Sequence, residues 1–200
     1  MKRLLAAIFC VPWLGAITEV LADHAETQHV TRLAAGWPID AFTLVDQRGE
    51  PFTQQQLQGR WTFVLLGDVR CGEPCTSALS TLAGMYRRIA RTEAMKTTQV
   101  LFISLDPERD TATQLRKYLA PFDDRFIGAI GSRQTLRRLT DDMGVSARVP
   151  AQPGSISAGS NNYSGSLLLI GPDGSVRAEF LPPFDVLLLT AEYLKTRVRR

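Results

Sequence analysis

The sequence predicts an α/β fold in which a mixed central sheet is flanked by helices and an N-terminal β-hairpin precedes the core. Short apolar runs of strand length alternate with segments whose apolar residues recur at helical spacing, and turn residues separate the two kinds. Strand–helix–strand order implies parallel pairing with right-handed crossovers. A second hairpin pattern near the end adds antiparallel strands, so the sheet is expected to be mixed and covered on both faces.

The first predicted elements are a hairpin, a buried strand and a helix. Residues 42–45 alternate in polarity, and residues 51–53 return after a turn, which is typical of a β-hairpin. Residues 61–66 form a continuous apolar run of strand length. The helix is predicted to run to about Arg91. Its apolar face consists of Ala78, Leu79, Leu82, Ala83, Met85, Tyr86 and Ile89.

The middle of the chain repeats the strand–helix order. A second apolar strand is predicted at residues 99–105, after which Asp110 or Thr111 can cap a helix. A short strand at residues 126–130 follows, and Ser132 can cap the next helix. Two strand–helix units in succession are the basis for expecting a parallel centre in the sheet.

The last part of the chain is predicted to close the sheet. A loop rich in Gly, Ser and Asn, residues 151–166, is long for a connection and is expected to be either functional or flexible. Residues 167–170 and 176–180 form two strands around the turn at residues 171–174. Asp185 can begin a final helix. There are no internal repeats and no second domain.

The N-terminal segment is predicted to direct export. Residues 1–22 have a basic start, an apolar core at residues 4–17 and small or apolar residues before a cut after Ala22, as in a secretory signal peptide. The alternative is an uncleaved anchor, with membrane association through residues 4–21. Either way the protein is expected in the periplasm or facing it.

Two further segments complete the domain organisation. Residues 23–39 are a polar N-terminal arm that carries both histidines, His24 and His29, and is expected to be loosely held. Residues 40–200 form the folded domain. The composition, 44% hydrophobic and 22% charged, permits a full core and excludes a disordered chain. A net charge of +3 is too small and scattered to indicate a nucleic-acid partner.

Two cysteines mark the candidate site. Cys71 and Cys75 stand where the strand at 61–66 gives way to a helix. Free N–H groups and the positive dipole end of a helix favour a thiolate there; Arg70 is expected to act in the same direction and Glu73 against it. Thiol–disulfide exchange needs an attacking and a resolving thiol, for which Cys71 and Cys75 are the respective candidates. A plain structural disulfide is the alternative.

Several residues resemble one protein family. A cysteine pair at the first strand-to-helix turn of such a sheet is the thioredoxin arrangement. The three-residue spacing of Cys71 and Cys75, the string FISLDPERDT at residues 102–111 and the string LIGPDG at residues 169–174 are similar to the SCO/SenC family of thioredoxin-like proteins. The resemblance covers residues 40–198.

The resemblance implies a copper-binding function. Family members hold copper through two cysteines and a histidine, and deliver it to, or reduce the thiols of, the copper site of an oxidase subunit. Cys71 and Cys75 are thus the implied copper ligands, and Asp106 matches an acidic position near the site. The family's histidine position falls at about Tyr163, and no histidine follows His29, so the resemblance implies a divergent member.

The residues leave several functions open. Two thiolates suffice for Cu(I), a soft ion, and His24 or His29 could add a nitrogen ligand from the arm. The alternative is a metal-free thiol–disulfide oxidoreductase acting on another exported thiol protein. A binding module with a structural disulfide is a third reading. Asp106 is either a proton acceptor near the sulfurs or a turn cap.

Overall fold

The computed structural model describes residues 29–145 and 165–198, which form an eight-stranded sheet with five α-helices. The strands are β1 Val30–Pro38, β2 Thr43–Asp46, β3 Pro51–Thr53, β4 Trp61–Gly67, β5 Thr98–Ser104, β6 Ile127–Ile130, β7 Leu167–Ile170 and β8 Ser175–Phe180. The helices are α1 Glu73–Ile89, α2 Glu93–Lys96, α3 Ala112–Leu119, α4 Arg133–Asp142 and α5 Val186–Val198, with a short 3-10 helix at Gln54–Leu57.

The sheet is mixed, as predicted. Its strand order is β1-β8-β7-β4-β5-β6-β2-β3. The central strands β4, β5 and β6 are parallel, and all other neighbours are antiparallel. The register places Leu65 opposite Leu167, Leu167 opposite Phe180 and Phe180 opposite Val30. The carboxyl end of β4 and the beginning of β1 therefore lie at the same end of the strands.

The apolar run in β4 is continuous because both faces of the strand are buried. Successive side chains of a strand point to opposite faces. Phe63 and Leu65 belong to the core under α1, α3 and α5, whereas Val64 and Leu66 belong to the core under α4 and the β2–β3 hairpin. A parallel strand covered by helices on both sides needs such an apolar run. The predicted helices on both faces are confirmed.

The helix starts follow the predicted caps. Thr111, rather than Asp110, caps α3 by accepting a hydrogen bond from the backbone N–H of Gln114. Ser132 does the same at the start of α4. Asp185 accepts hydrogen bonds from the N–H groups of the second and third residues after it, at the start of α5. Each cap satisfies backbone donors that the first helical turn leaves free.

The polar arm differs from the prediction. Residues 23–39 were expected to be loosely held, but β1 pairs along β8 as an edge strand, with a register shift between Arg32 and Trp37. Pairing with the free edge of β8 satisfies the backbone groups of both strands. Two side-chain contacts support it: the Trp37 indole N–H donates to the Asp142 carbonyl at 2.5 Å, and Arg32 forms an ion pair with Glu192.

Some predictions concern residues that the structure does not describe. The signal peptide at residues 1–22, His24, and most of the 151–166 loop, Tyr163 included, lie outside the described ranges. Within those ranges, none of the helices combines the length and apolar character that crossing a membrane requires.

Candidate functional site

The two cysteines lie at the carboxyl end of β4, where the chain enters α1. Cys71 belongs to the turn after Gly67, and its N–H donates to the Asp68 carbonyl at 3.0 Å. Cys75 is in the first turn of α1. Pro74 is the second residue of this helix, where its missing N–H removes no intrahelical hydrogen bond. The predicted handover from strand to helix is therefore present.

Cys71 and Cys75 form a disulfide with a Cα–Cα distance of 5.7 Å. Cys71 is 7% exposed, whereas Cys75 is completely buried. A side chain at Gly67 would place a Cβ 2.8 Å from the Cys75 Sγ, so glycine is required for the sulfur to occupy this position. The two cysteine residues thus differ slightly in their access to solvent.

Tyr118 of α3 contacts the cysteine turn from the side. Its hydroxyl donates to the Cys71 carbonyl at 3.1 Å. Burial, together with the carboxylates of Asp68 and Asp110, raises the pKa of Tyr118 to about 12. The phenol therefore keeps its proton and remains a donor at neutral pH. No local pattern in the sequence indicates this contact, because it depends on how β4 and β5 pair.

The guanidinium of Arg70 faces three carboxylates. It lies 2.5 Å from Asp106, 3.4 Å from Asp110 and 3.7 Å from Asp68. That Arg70 favours a Cys71 thiolate stays a prediction, and these three carboxylates act against it. A guanidinium whose charge is balanced by carboxylates has little net field left for the neighbouring sulfur.

Asp110 connects the turn to the end of β5. Its side chain is fully buried. It accepts hydrogen bonds from the Ser104 hydroxyl at 2.6 Å and from the Val69 N–H at 3.1 Å. A buried carboxylate needs such partners. Sequence reasoning treated Asp110 only as a possible cap and missed this role, although its place in the string at residues 102–111 was noted.

Asp106 is occupied by cations. Its carboxylate accepts hydrogen bonds from Arg70 and Arg109, and its backbone carbonyl accepts them from the N–H groups of Arg109 and Asp110. Of the two predicted roles, the turn-forming one is present.

The sulfurs are the candidate metal donors of the described region. Among the described residues, no group of three or more His, Cys, Asp or Glu side chains could hold a metal ion. His29 is exposed before β1, and its carbonyl accepts a hydrogen bond from Leu181. Once reduced, Cys71 and Cys75 would supply two soft thiolate ligands, a donor set that fits a soft ion of low coordination number.

Fold and site together define a thioredoxin-like protein with a dithiol–disulfide pair at the first crossover of its sheet. The family model SCO1/SenC matches residues 36–192. The chain belongs to the SCO1/SenC family, and the resemblance predicted from residues 102–111 and 169–174 is confirmed.

Known relatives agree with this assignment. A protein of Stutzerimonas stutzeri, provisionally named as copper-binding, is 33% identical over 186 residues, which are 92% of this chain and 87% of that protein. The crystal structure of Arabidopsis thaliana ScoI with copper bound has a TM-score of 0.67 and 24% identity, covering 80% of this chain and 98% of that chain.

A third relative, BsSco, is described as having a disulfide switch and as a member of the Sco family of cytochrome c oxidase assembly proteins. It has a TM-score of 0.65 and 16% identity, covering 85% of this chain and 99% of that chain. At such identities the two solved structures establish the fold. The chain spans about half or less of the mitochondrial SCO1 and SCO2 relatives that it matches.

Proposed function

We propose that the protein binds copper through Cys71 and Cys75 and assists the assembly of the copper site of a respiratory oxidase. The observation that carries the proposal is the cysteine pair at the turn from β4 to α1 in a chain of the SCO1/SenC family. The naming of one relative for copper binding and the copper-bound structure of another support it. The description of a third as belonging to a family of oxidase assembly proteins supports the proposed partner.

The chemistry requires the disulfide to open first. Copper is the cargo here, and Cu(I) accepts two thiolates because soft ligands suit a soft ion. Binding also displaces the thiol protons. Gly67 leaves the space that the Cys75 sulfur occupies, and Tyr118 holds the carbonyl of Cys71. The more exposed Cys71 is the ligand from which a partner's thiol would take the ion.

The proposed location is the periplasm, and the proposed partner is the copper-site subunit of the oxidase. Residues 1–22 would direct export, either as a cleaved signal peptide or as an anchor through residues 4–21. An oxidising compartment is where a disulfide forms and persists. Mass spectrometry of the protein recovered from cells tests this: a start at Asp23 is expected for cleavage, and an intact chain in the membrane fraction for the anchor.

A Cu(I) titration tests the copper proposal. The reduced full-length protein is titrated against a chromophoric competitor, beside Cys71→Ser/Cys75→Ser and a matched control, Cys10→Ser, which removes the remaining cysteine. One Cu(I) per chain is expected for the wild type and the control, and none for the double variant. Failure of the wild type to compete for copper would overturn the proposal.

The second candidate function is thiol–disulfide exchange without a metal. The pairing of the two cysteines, of which Cys71 is 7% exposed and Cys75 completely buried, favours it. Exchange predicts a reduction potential above about −300 mV, because inert structural disulfides have potentials below that value. Equilibration with redox buffers measures this potential, and a much lower value excludes the second function.

A further inference from the structure

We propose that Arg70 is a positioning residue that holds the turn carrying Cys71 against the loop between β5 and α3. Through its ion pairs with Asp106 and Asp110, it favours the closed Cys71–Cys75 disulfide over the open dithiol. The inference deepens the proposed function and rests on it for the use made of this dithiol. We call Arg70 with Asp68, Asp106 and Asp110 the arginine latch.

The arginine latch fixes the residues that immediately precede Cys71. Asp110, buried at the end of the loop, receives the Val69 N–H at 3.1 Å and the Arg70 guanidinium at 3.4 Å. Ser104 at the end of β5 donates to the same carboxylate at 2.6 Å, which holds it in place. Residues 69 and 70 are thus tied to the neighbouring strand.

The latch also acts within the turn. The Asp68 carboxylate accepts a hydrogen bond from the Arg70 N–H at 2.7 Å, and the Asp68 carbonyl accepts one from the Cys71 N–H at 3.0 Å. The N–H groups of Val69, Arg70 and Cys71 are therefore all hydrogen-bonded. Cys75 is held separately, because it lies in α1 and packs against Gly67.

Holding both cysteines in place affects the dithiol more than the disulfide. The disulfide bond itself restrains the two residues, so the latch restricts the closed state little. In the open state the turn would gain conformational freedom if the latch were absent. By limiting that freedom, the latch keeps the two sulfurs close and favours ring closure.

The contact pattern requires an arginine rather than any cation. Arg70 Nη2 reaches Asp106 and Asp68, while Nη1 reaches Asp110. A guanidinium presents several donors in a fixed plane, whereas a lysine ammonium is a single point of charge. Arg70→Lys thus keeps the charge near Cys71 and loses the simultaneous contacts.

Arg109 offers a matched control. It bonds the same Asp106 carboxylate, but its side chain is 64% exposed and its ion pair joins residues within one loop. In the described part of the chain it forms no hydrogen bond or ion pair with residues 68–71, and Asp68 acts on it only through space. Arg109→Met removes a positive charge from the same network and leaves the tie to Cys71 intact.

The test uses the full-length, metal-free protein equilibrated with dithiothreitol. Dithiothreitol donates two electrons and two protons: the Cys71–Cys75 bond breaks to give two thiols, and dithiothreitol closes its own disulfide. Alkylation of free thiols followed by mass spectrometry gives the oxidised fraction. We expect the equilibrium constant for closing the Cys71–Cys75 bond to fall about fivefold in Arg70→Met, the size of a partly exposed ion-pair network.

In Arg70→Lys the equilibrium constant for closing the disulfide is expected to fall at least about twofold. In Arg109→Met it is expected to change by less than about twofold. A fall in Arg70→Lys cannot arise from a lost charge beside the sulfurs. In an Asp106→Asn background, Arg70→Met should have a smaller effect, because the two residues act together. Equilibrium constants for both Arg70 variants equal to that of the wild type would overturn the proposal.

The test distinguishes an effect on the disulfide equilibrium from effects on folding and on copper binding. Circular dichroism identifies variants that fold; if Arg70→Met does not fold, the Arg70→Lys and Arg109→Met comparison decides. The measurement contains no copper, so the proposal stands or falls on the disulfide equilibrium alone. The proposed copper function is decided independently by the Cu(I) titration of the wild type.

Discussion

At the residue scale, the site consists of two chemically identical side chains in unequal surroundings. Cys71 lies in a turn and retains 7% exposure, whereas Cys75 is buried in the first turn of α1. Access controls which sulfur a partner can reach, and thiol–disulfide exchange starts at the accessible one. The inequality favours the proposal that Cys71 is the attacking thiol and Cys75 the resolving thiol.

Single serine variants test this assignment. With Cys75→Ser, oxidised glutathione should trap Cys71 as a stable mixed disulfide, since no resolving thiol remains. With Cys71→Ser, the buried Cys75 should react at least about tenfold more slowly. Intact-mass spectrometry over time measures both. Equal rates, or faster reaction of Cys75, would reverse the assignment.

Gly67 gives a second residue-scale prediction. Gly67→Ala would place a methyl group 2.8 Å from the Cys75 Sγ and 3.1 Å from the Phe102 ring. We expect the free energy of unfolding to fall by about 1–3 kcal/mol through overpacking. Urea denaturation of the oxidised protein measures this loss.

Gly72→Ala is the control for Gly67→Ala. A Cβ at Gly72 meets nothing within 4 Å, so the change should cost less than about 1 kcal/mol as a weaker helix cap. If both variants lose the same stability, contact with the Cys75 sulfur is not the cause.

The residues of the site differ in how far the sequence could predict them. Cys71 and Cys75 were identifiable because their position at the end of an apolar run is a local pattern. The partners of Arg70 were not, because Asp106 and Asp110 lie 36 and 40 residues further along the chain. The charges alone suggested a role at the sulfur, and only the pairing of β4 with β5 brings the carboxylates to the arginine.

At the scale of elements, strong periodicity was a reliable guide and edge pairing was not. The hairpin and the strands from β4 to β8 follow their apolar patterns. In contrast, β1 contains a glycine, ends in a proline and shows no clear alternation of apolar and polar residues. It is extended because it pairs with the otherwise unpaired side of β8. Helix α2 has only four residues, too few to show a helical period.

Gly36 tests whether β1 is bound as firmly as its pairing suggests. A Cβ at this position would lie 2.6 Å from the Val176 carbonyl oxygen, so Gly36→Ala should lower the free energy of unfolding by about 1–3 kcal/mol. Arg32→Ala, which removes an exposed ion pair on the same strand, should cost less than about 1 kcal/mol. Urea denaturation compares them; a Gly36→Ala protein as stable as the wild type would mean that β1 contributes little.

Tyr118 links α3 to the cysteine turn and makes stability depend on pH. Burial, then the charges of Asp68 and Asp110, raises its pKa from 10.0 to about 12. The unfolded chain loses this proton first, so the stability contributed by the protonated phenol is complete below pH 10.0 and is lost as the pH rises to about 12. The oxidised wild type should therefore lose stability through this range more steeply than Tyr118→Phe. Parallel slopes in urea titrations would contradict the prediction.

At the scale of the whole molecule, the sheet separates two apolar cores, and the site lies at the carboxyl end of its central strand β4. Phe63 and Leu65 contribute to one core, Val64 and Leu66 to the other. Cys71 and Cys75 pack in the first of these cores, and their disulfide closes a loop with a sequence separation of only 4. We expect most of the apolar packing to persist when so short a link opens.

The reduced protein should accordingly stay folded. Closing so short a loop restricts the unfolded chain by about 2 kcal/mol, so reduction should lower the free energy of unfolding by no more than about that amount. Urea denaturation with and without a phosphine reductant measures the difference, and circular dichroism should be unchanged before the transition. Loss of helical signal on reduction alone would show that the disulfide is structural.

The beginning of β1 has a mechanical consequence. Val30 lies opposite Phe180, Phe180 opposite Leu167, and Leu167 opposite Leu65. Strand β1 therefore begins at the same end of the strands as the cysteines. A short tether attached at this end of the strands would keep the sulfurs close to the surface that holds the tether. The length of the tether would set the distance over which the sulfurs can reach a partner.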